Sequence, residues 1–333
     1  MKILITGVAG FIGSHLSQRL AKQNHEVLGI DNLSDYYSPD LKLRRIKDLG
    51  LDTNSSFESV DLSDLSNLRK TVFKFEPDLI YHLAAQAGVR ANSKISKNYL
   101  NSNITGFSNI MLVADEVSAN GFIYASTSSV YGDQAKVPYE ECEKSLHPNS
   151  FYGMTKLVNE NLAGEFSKFS KLKMRGVRLF TVYGAYGRPD MAYTRIISSA
   201  LHGTEFVLYG DGSIKRDFTY IEDVVDNLER LGNQIVTEKS GYHDIVNVGG
   251  GNPHSMNELR DIIEHHTNSK INLKIVPENS MDAKITWANN KYLKSLVGET
   301  SWTPLNEGIK KTIDWATTPS VKIEIVNWIN STK

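Results

Sequence analysis

The chain has 333 residues, of which 40% are hydrophobic and 23% charged, enough for one large lobe or two fused lobes around a substantial core. Its net charge of -1 points to neither nucleic acid nor an anionic membrane, so any anionic ligand must be held by local groups. The single cysteine, Cys142, excludes an internal disulfide and a cysteine zinc site, which fits a reducing cytoplasm, and no apolar run approaches the roughly 20 residues of a membrane span.

Lys2 to Thr6 (KILIT) predicts a short strand. Gly7, Gly10 and Gly13 interrupt the apolar start and charge returns at Arg19, so the N-terminus reads as structure rather than as a targeting segment. Ser14 to Gln23 predicts a helix with Leu16 and Leu20 on one face, and Glu26 to Asp31 a second strand. Strand, glycine turn, helix and strand make a βαβ unit, which demands a parallel sheet. The alternation continues with a helix at Leu65 to Phe75, a strand at Leu79 to Leu83, a helix at Asn101 to Val117 and a strand at Gly121 to Ser126. A helix at Tyr152 to Phe169 and a strand at Met174 to Phe180 follow. Covering both faces of such a sheet gives an α/β, Rossmann-type doubly wound fold. Beyond Thr181 the rhythm loosens into turns at Ala185 to Arg188 and Gly210 to Gly212 and a glycine-rich segment at Val246 to Gly251. A helix at Met256 to His266 and a strand at Asn272 to Pro277 complete a smaller mixed α/β lobe. The expected division is a cofactor domain over 1–180, to which a segment near 214–248 returns, and a substrate lobe over 181–333. No Pro/Ser-rich linker separates them, so close packing is expected.

Gly7-Val8-Ala9-Gly10-Phe11-Ile12-Gly13 sits between strand and helix, where glycines permit a tight turn, close approach to a pyrophosphate and close helix–strand packing. Asp31, followed by Asn32, ends the second strand, where a carboxylate binds ribose hydroxyls and repels a 2′-phosphate, favouring NAD over NADP. Asp61-Leu62 stands where an adenine could be bracketed, and Leu83-Ala84-Ala85 leaves room for a flat ligand. Any one of these alone is explained by a turn, a cap or a core filler; their combination is not.

Tyr152 and Lys156 are four apart, so on a helix they share a face, and a nearby cation is expected to lower the phenol's pKa from about 10 toward a general base's working range. A tyrosine–lysine spacing is common by chance. Its position at the start of the helix after the fifth strand, on the edge that also carries the glycine turn, favours the catalytic reading. The hydroxyls of Ser126, Thr127, Ser128 and Ser129 end that strand, with Thr127 placed to bond a reacting hydroxyl. The nine histidines show no metal-ligand spacing, and His265-His266 reads as a solvated helix end.

Taken together, GVAGFIG at 7–13, NxxG at 103–106, HLAA at 82–85, the Ser/Thr-rich VYG segment at 126–132, YGMTK at 152–156 and RDFTYIED at 216–223 resemble the extended short-chain dehydrogenase/reductase family over nearly the whole chain. Within it, DNLSDYY at 31–37, AQAGVR at 85–90 and FTVYGAYGRPDM at 180–191 are most similar to UDP-glucuronate 4-epimerases. The resemblance implies oxidation of a sugar 4-hydroxyl with bound NAD, rotation of the 4-keto sugar and return of the hydride to its other face. It casts Tyr152 as acid/base and Lys156 as ribose ligand, and places Asn103 at the cofactor. Because a 4-keto-uronate loses carbon dioxide readily, the carboxylate must be held by directed groups; Ser128, Ser129 and Thr181 are the candidates, with Arg188 as charge partner or closing residue. Arg216 and Arg90 are candidates for the diphosphate and Asp282 for the nucleoside. The related decarboxylases and 4,6-dehydratases carry an acid where Ser129 stands. The chain departs from the family pattern at Ser96, Ala185, Met281 and Asn289. A 4-epimerase of UDP-hexoses or UDP-N-acetylhexosamines, a UDP-glucuronate decarboxylase and a silent NAD-binding regulator are the other readings. The family also implies a homodimer through four helices, those at 101–117 and 152–169 from each subunit, with no nucleic-acid, membrane or metal partner.

Overall fold

Seven parallel strands form the central sheet of the structure, a computed structural model that describes residues 1–51, 56–88, 97–277 and 283–331. In chain order the strands are β1 (Lys2–Thr6), β2 (Glu26–Asp31), β3 (Ser56–Ser59), β4 (Leu79–His82), β5 (Gly121–Thr127), β6 (Met174–Leu179), β7 (Thr181–Tyr183), β8 (Phe206–Tyr209), β9 (Lys215–Tyr220), β10 (His243–Val248), β11 (Pro253–Ser255) and β12 (Leu273–Val276). The helices are α1 (Phe11–Lys22), α2 (Pro39–Asp48), α3 (Leu65–Phe75), α4 (Lys97–Tyr99), α5 (Gly106–Glu116), α6 (Phe151–Phe166), α7 (Ala192–His202), α8 (Ile221–Ile235), α9 (Met256–Thr267), α10 (Lys291–Val297), α11 (Leu305–Ala316) and α12 (Pro319–Asn330).

The sheet runs β10-β6-β5-β4-β1-β2-β3. Its central strands are apolar at successive positions because both faces are covered. Register aligns Leu4 with Ile80 and Ile80 with Phe122, and these three side chains enter the core shared with α3 and α5. Ile3, Ile5, Leu79, Tyr81 and Ile123 alternate to the opposite face and join a core that continues through α8 and α11 to Trp328 of α12. That single core runs through residues on both sides of position 180, so the two halves are packed as one body.

Three features differ from expectation. The helix expected at 101–117 begins at Lys97 and passes through a π-helical turn (Leu100–Thr105), closed by Gly106 N–H donating to Asn101 O, before α5. Helix α6 starts at Phe151 because the Ser150 hydroxyl caps it, accepting from Gly153 N–H at 3.0 Å, and it ends at Phe166. In the loop-rich half, β10 pairs with β6 as the seventh strand and α8 packs on α1, where Arg19 reaches Asp226 (2.7 Å) and Glu229 (2.5 Å). The return to the main sheet is thus made by α8 and β10. Residues 215–220 instead form β9 of a separate three-stranded sheet, β11-β9-β7.

Strand β1 has β2 on one side and β4 on the other, so the chain order reverses there and a crevice opens beyond the carboxyl ends. The glycine turn fills its base. Gly7 has φ +72°, and a Cβ on it would stand 2.7 Å from the Ala84 backbone; on Gly13 it would stand 2.3 Å from Gly7 O. We expect Gly7→Ala to lower stability by about 2 kcal/mol or more, through the left-handed φ and the clash together, seen as a lower urea midpoint with the slope unchanged.

Candidate active site

A cavity of ≈ 680 Å³ lies along the carboxyl edge of the sheet. One wall is made by Gly7, Gly10, Phe11, Ile12, Gly13, Asp31, Asn32, Asp61, Leu62, Leu83, Ala84 and Ala85. Thr127, Ser128, Ser129, Tyr152, Lys156 and Thr181 also line it, and the second lobe adds Arg188 and Arg216. Asn103, expected at the cofactor, does not itself line the cavity. It is fully buried behind the wall, where it accepts from Gln86 N–H (2.8 Å) and donates to Gln86 O and to Thr155 Oγ1 (3.0 Å each). Thr155 Oγ1 in turn donates to Tyr152 O (2.8 Å), so the π-helical turn carrying Asn103 braces the first turn of α6. Arg90 and Asp282 lie outside the described residues.

The cofactor wall fits a dinucleotide. Helix α1 begins at Phe11 with no acidic residue in its first turn, leaving its N-terminal N–H groups and dipole toward the cleft. Asp31 accepts from Ala9 N–H (3.2 Å) and Leu33 N–H (2.8 Å), tying the end of β2 to the glycine turn. Asp61 accepts from Asn32 Nδ2 (3.0 Å) and from Ser63. Lys42 of α2, missed from the sequence, is buried beside Asp31, with Nζ 3.9 Å from its Oδ1 and donating to Ser34 Oγ at 3.0 Å. Arg45, one turn on, is fully buried. It donates to Ala9 O (3.0 Å), Tyr37 Oη (2.5 Å), Tyr186 O (2.9 Å) and Gly187 O (3.3 Å). It therefore joins the glycine turn, the loop after β2 and the loop after β7.

The tyrosine and lysine behave differently from expectation. Burial pushes the Tyr152 phenol above its usual range, and the groups that oppose this are the Arg188 charge and a hydrogen bond with Thr127. Lys156, which lines the cleft with Ala125, donates to Ala125 O at 2.8 Å. Burial drives its ammonium down to about 8, against the pull of Glu160. Glu160 is locked behind the site. It takes both Nε (2.9 Å) and Nη2 (2.8 Å) of Arg178 on β6 and the hydroxyl of Ser126 (2.5 Å), while the Arg178 guanidinium lies 4.7 Å over the Tyr131 ring. Ser126 thus serves the buried ion pair, while the next residue, Thr127, donates to Ser129 Oγ at 3.3 Å and accepts from Ser129 N–H at 3.2 Å.

Arg216 Nη1 donates to Ala283 O (2.7 Å) and Lys215 O (2.9 Å), which fixes the root of β9 against the segment that starts at Ala283 while its side chain borders the cleft. Arg188 holds Asp190 with both edges of its fork, Nε–Oδ1 2.9 Å and Nη2–Oδ2 2.5 Å. Arg195 of α7 and Tyr209 of β8 line the cleft as well and carry no motif in the sequence to find them by.

Residues 3–249 match the model of the NAD dependent epimerase/dehydratase family. The chain belongs to that family. Among its epimerase/dehydratase relatives, the UDP-glucuronate 4-epimerase of Thermodesulfobacterium geofontis is 37% identical over 318 residues, 94% of this chain and 95% of that protein. A crystal structure of the UDP-glucuronic acid 4-epimerase from Bacillus cereus in complex with UDP-glucuronic acid and NAD superposes with a TM-score of 0.87 at 32% identity, covering 95% of this chain and 98% of that one. A UDP-glucose 4-epimerase from Thermotoga maritima superposes with a TM-score of 0.85 at 28% identity, over 95% and 98% of the two chains.

Because folding lowers the pKa of Lys156, the folded protein releases its proton near pH 8 while the unfolded chain holds it to the ordinary lysine range. Between those limits the unfolded state binds more protons, so stability rises with pH. In cofactor-free protein we expect the stability of Lys156→Met minus that of wild type to shrink from pH 7 to pH 10, by at most about 3 kcal/mol, measured by urea denaturation at each pH.

Proposed function

We propose that the protein is a UDP-glucuronate 4-epimerase using bound NAD. The observation that carries the reading is the row of hydroxyls, Thr127, Ser128, Ser129 and Thr181, lining the same cleft as Tyr152, with the glycine turn and Asp31 on the adjoining wall. NAD, when bound, supplies the acceptor that takes the sugar's hydride and returns it. The chain's own residues do the rest. Tyr152 takes the proton of the 4-hydroxyl and later gives it back, with Thr127 in the same cleft and available to the same sugar oxygen. The hydroxyls of Ser128, Ser129 and Thr181 hold the carboxylate by directed hydrogen bonds, away from the alignment that expels carbon dioxide. Arg216 faces the diphosphate. A serine at 129, where the decarboxylases carry an acid, speaks against decarboxylation.

Residues 1–180 with α8 and β10 make the cofactor part, and the remainder of 181–333 the nucleotide-sugar part. Among the described residues no helix is long and apolar enough to cross a membrane. The reading places the protein in the cytoplasm as a homodimer. Leu100 beside α4, Leu112 of α5 and Phe151, Met154 and Leu162 of α6 are exposed, an apolar face suited to a four-helix contact between two copies.

One observation favours a second reading, a 4-epimerase of neutral UDP-hexoses: Arg188, a cation lining the cleft, is already paired with Asp190. Incubation with UDP-glucuronate, without added NAD, should yield UDP-galacturonate by NMR. UDP-xylose or a 4-keto pentose as sole product would refute the epimerase reading, and faster turnover of UDP-glucose or UDP-N-acetylglucosamine would establish the second. Tyr152→Phe should lower kcat by about 100-fold or more. Light scattering at micromolar concentration should give the mass of two chains.

A further inference from the structure

Asp217, next to Arg216 on β9, is a fully buried carboxylate whose donors are backbone N–H groups. Its Oδ2 accepts from Ala288 N–H at 2.9 Å and from Gly251 N–H at 3.0 Å, and its Oδ1 lies 3.2 Å from the same Gly251 nitrogen. The cradle is close-fitting: a Cβ on Gly249 would stand 3.0 Å from Oδ2, and one on Gly250 3.2 Å from Oδ1. The turn after β10 and the stretch from Ala283 to Asn290 therefore meet at this one side chain. That stretch lies outside the helices and strands and is laid along β9 by separate bonds. Lys215 N–H donates to Lys284 O (2.9 Å), Thr286 N–H to Lys215 O (3.2 Å) and Asp217 N–H to Thr286 Oγ1 (3.2 Å). Trp287 Nε1 closes on Gly251 O at 2.9 Å. At the head of the stretch, Ala283 O accepts from Arg216 Nη1 at 2.7 Å, and Ala283, Thr286 and Arg216 all line the cleft.

We propose that Asp217 is a positioning residue for the nucleotide-sugar diphosphate: its carboxylate pins the 283–290 stretch to β9 and so holds Ala283 O where that carbonyl aims the Arg216 guanidinium into the cleft. This rests on the UDP-sugar reading above and adds the part that sets Arg216. Converging N–H donors require a group that only accepts, which an ionised carboxylate is and an amide or a protonated carboxyl is not. A guanidinium grips phosphate oxygens through donors fixed in direction, so moving its backbone anchor misdirects the fork. Burial raises the Asp217 carboxyl to about 6, against the pull of the N–H groups of Ala288, Gly251 and Gly250. The ionised form, which holds the stretch, is therefore complete above that value and lost as pH falls through it. The charged and titratable side chains on the surrounding elements turn elsewhere. Arg216 and its register partner His254 on β11 alternate to the opposite face of the strand pair. Lys215 of β9 acts on Glu258 of α9, Lys284 is exposed, and the Tyr139 hydroxyl donates to Gly132 O and Ile285 O.

The test is calorimetric titration of the NAD-loaded full chain with UDP-glucuronate, in a Tyr152→Phe background so that turnover does not intrude. Both phosphates of this ligand are esterified, so its own charge stays constant over the range used. With Asp217 intact, the dissociation constant should rise about tenfold from pH 7.5 to pH 5, as follows for a carboxyl titrating near 6. Asp217→Asn should weaken binding about tenfold at pH 7.5 and abolish the further loss toward pH 5. With Tyr152 restored, the asparagine variant should keep its bound NAD and its kcat at saturating substrate within about twofold, the effect falling on KM. In an Arg216→Met background Asp217→Asn should change the affinity by less than about twofold, because the carboxylate acts through the arginine. The pH series with Asp217 intact decides the matter even where the asparagine variant does not fold. An affinity that stays constant from pH 7.5 to pH 5, or an asparagine effect that adds in full to that of Arg216→Met, would overturn the proposal. A chain that binds neither UDP-glucuronate nor UDP-glucose at pH 7.5 would overturn the UDP-sugar reading itself, and the proposal with it.

Discussion

At the end of β1 the chain turns so tightly that a side chain on Gly7 would collide with the Ala84 backbone, and one on Gly13 with the Gly7 carbonyl. Backbone thereby meets backbone where β1, β4 and α1 converge, at the point where the sheet order reverses. The contact puts the free N–H groups of α1 at the mouth of the crevice, and it lets the ends of β4 and β5 reach the same rim. Thr127 at the end of β5 and Tyr152 at the start of α6 share one cleft with the glycine turn because both leave the sheet at that edge. Bulkier residues in the turn would lift α1 from the sheet and separate the cofactor wall from the hydroxyl row.

Much of this was legible in the sequence because the central strands are buried on both faces and so appear as unbroken apolar runs. KILIT and EVLGID are legible for that reason, LIYHL at 79–83 closes one residue early at His82, and α3, whose apolar positions recur at helical spacing, is legible to the residue. Helix α2 was missed. Its sequence PDLKLRRIKD reads as a charged surface segment, and nothing in spacing indicates that Lys42 and Arg45 would be buried, since such residues are rarely inside. Strand β10 was hidden because it forms the sheet's edge, where a mixed sequence, HDIVNV, suffices.

The site was legible in its parts but not in its electrostatics. Spacing places Tyr152 and Lys156 on one face of α6, but the direction of the ammonium depends on where the last carbonyls of β5 lie, and it turns to Ala125 O. A second cation of the cleft, Arg188, comes from another loop altogether. Behind both stands the Glu160–Arg178 pair, which satisfies the Ser126 hydroxyl and stiffens the end of β5, so the hydroxyl row in front of it is presented by a wall with little freedom to relax. Asn103 plays a similar part on the other side, holding Gln86 and Thr155 in register.

Arg45 has a bearing on how such enzymes diversify. Among the described residues no carboxylate pairs with it; its four acceptors are neutral oxygens, three of them backbone carbonyls, drawn from three segments distant in sequence. A buried cation of this kind tolerates almost any side chain on the loops it clasps, but not a change in their backbone path. Side-chain changes in the loop at 184–191 that keep its backbone path leave this clasp intact, whereas an insertion or a loop transplanted from a relative would strip two acceptors from an interior charge. Redesign of this scaffold would have to carry residues 37 and 45 along with the loop, as one inherited unit.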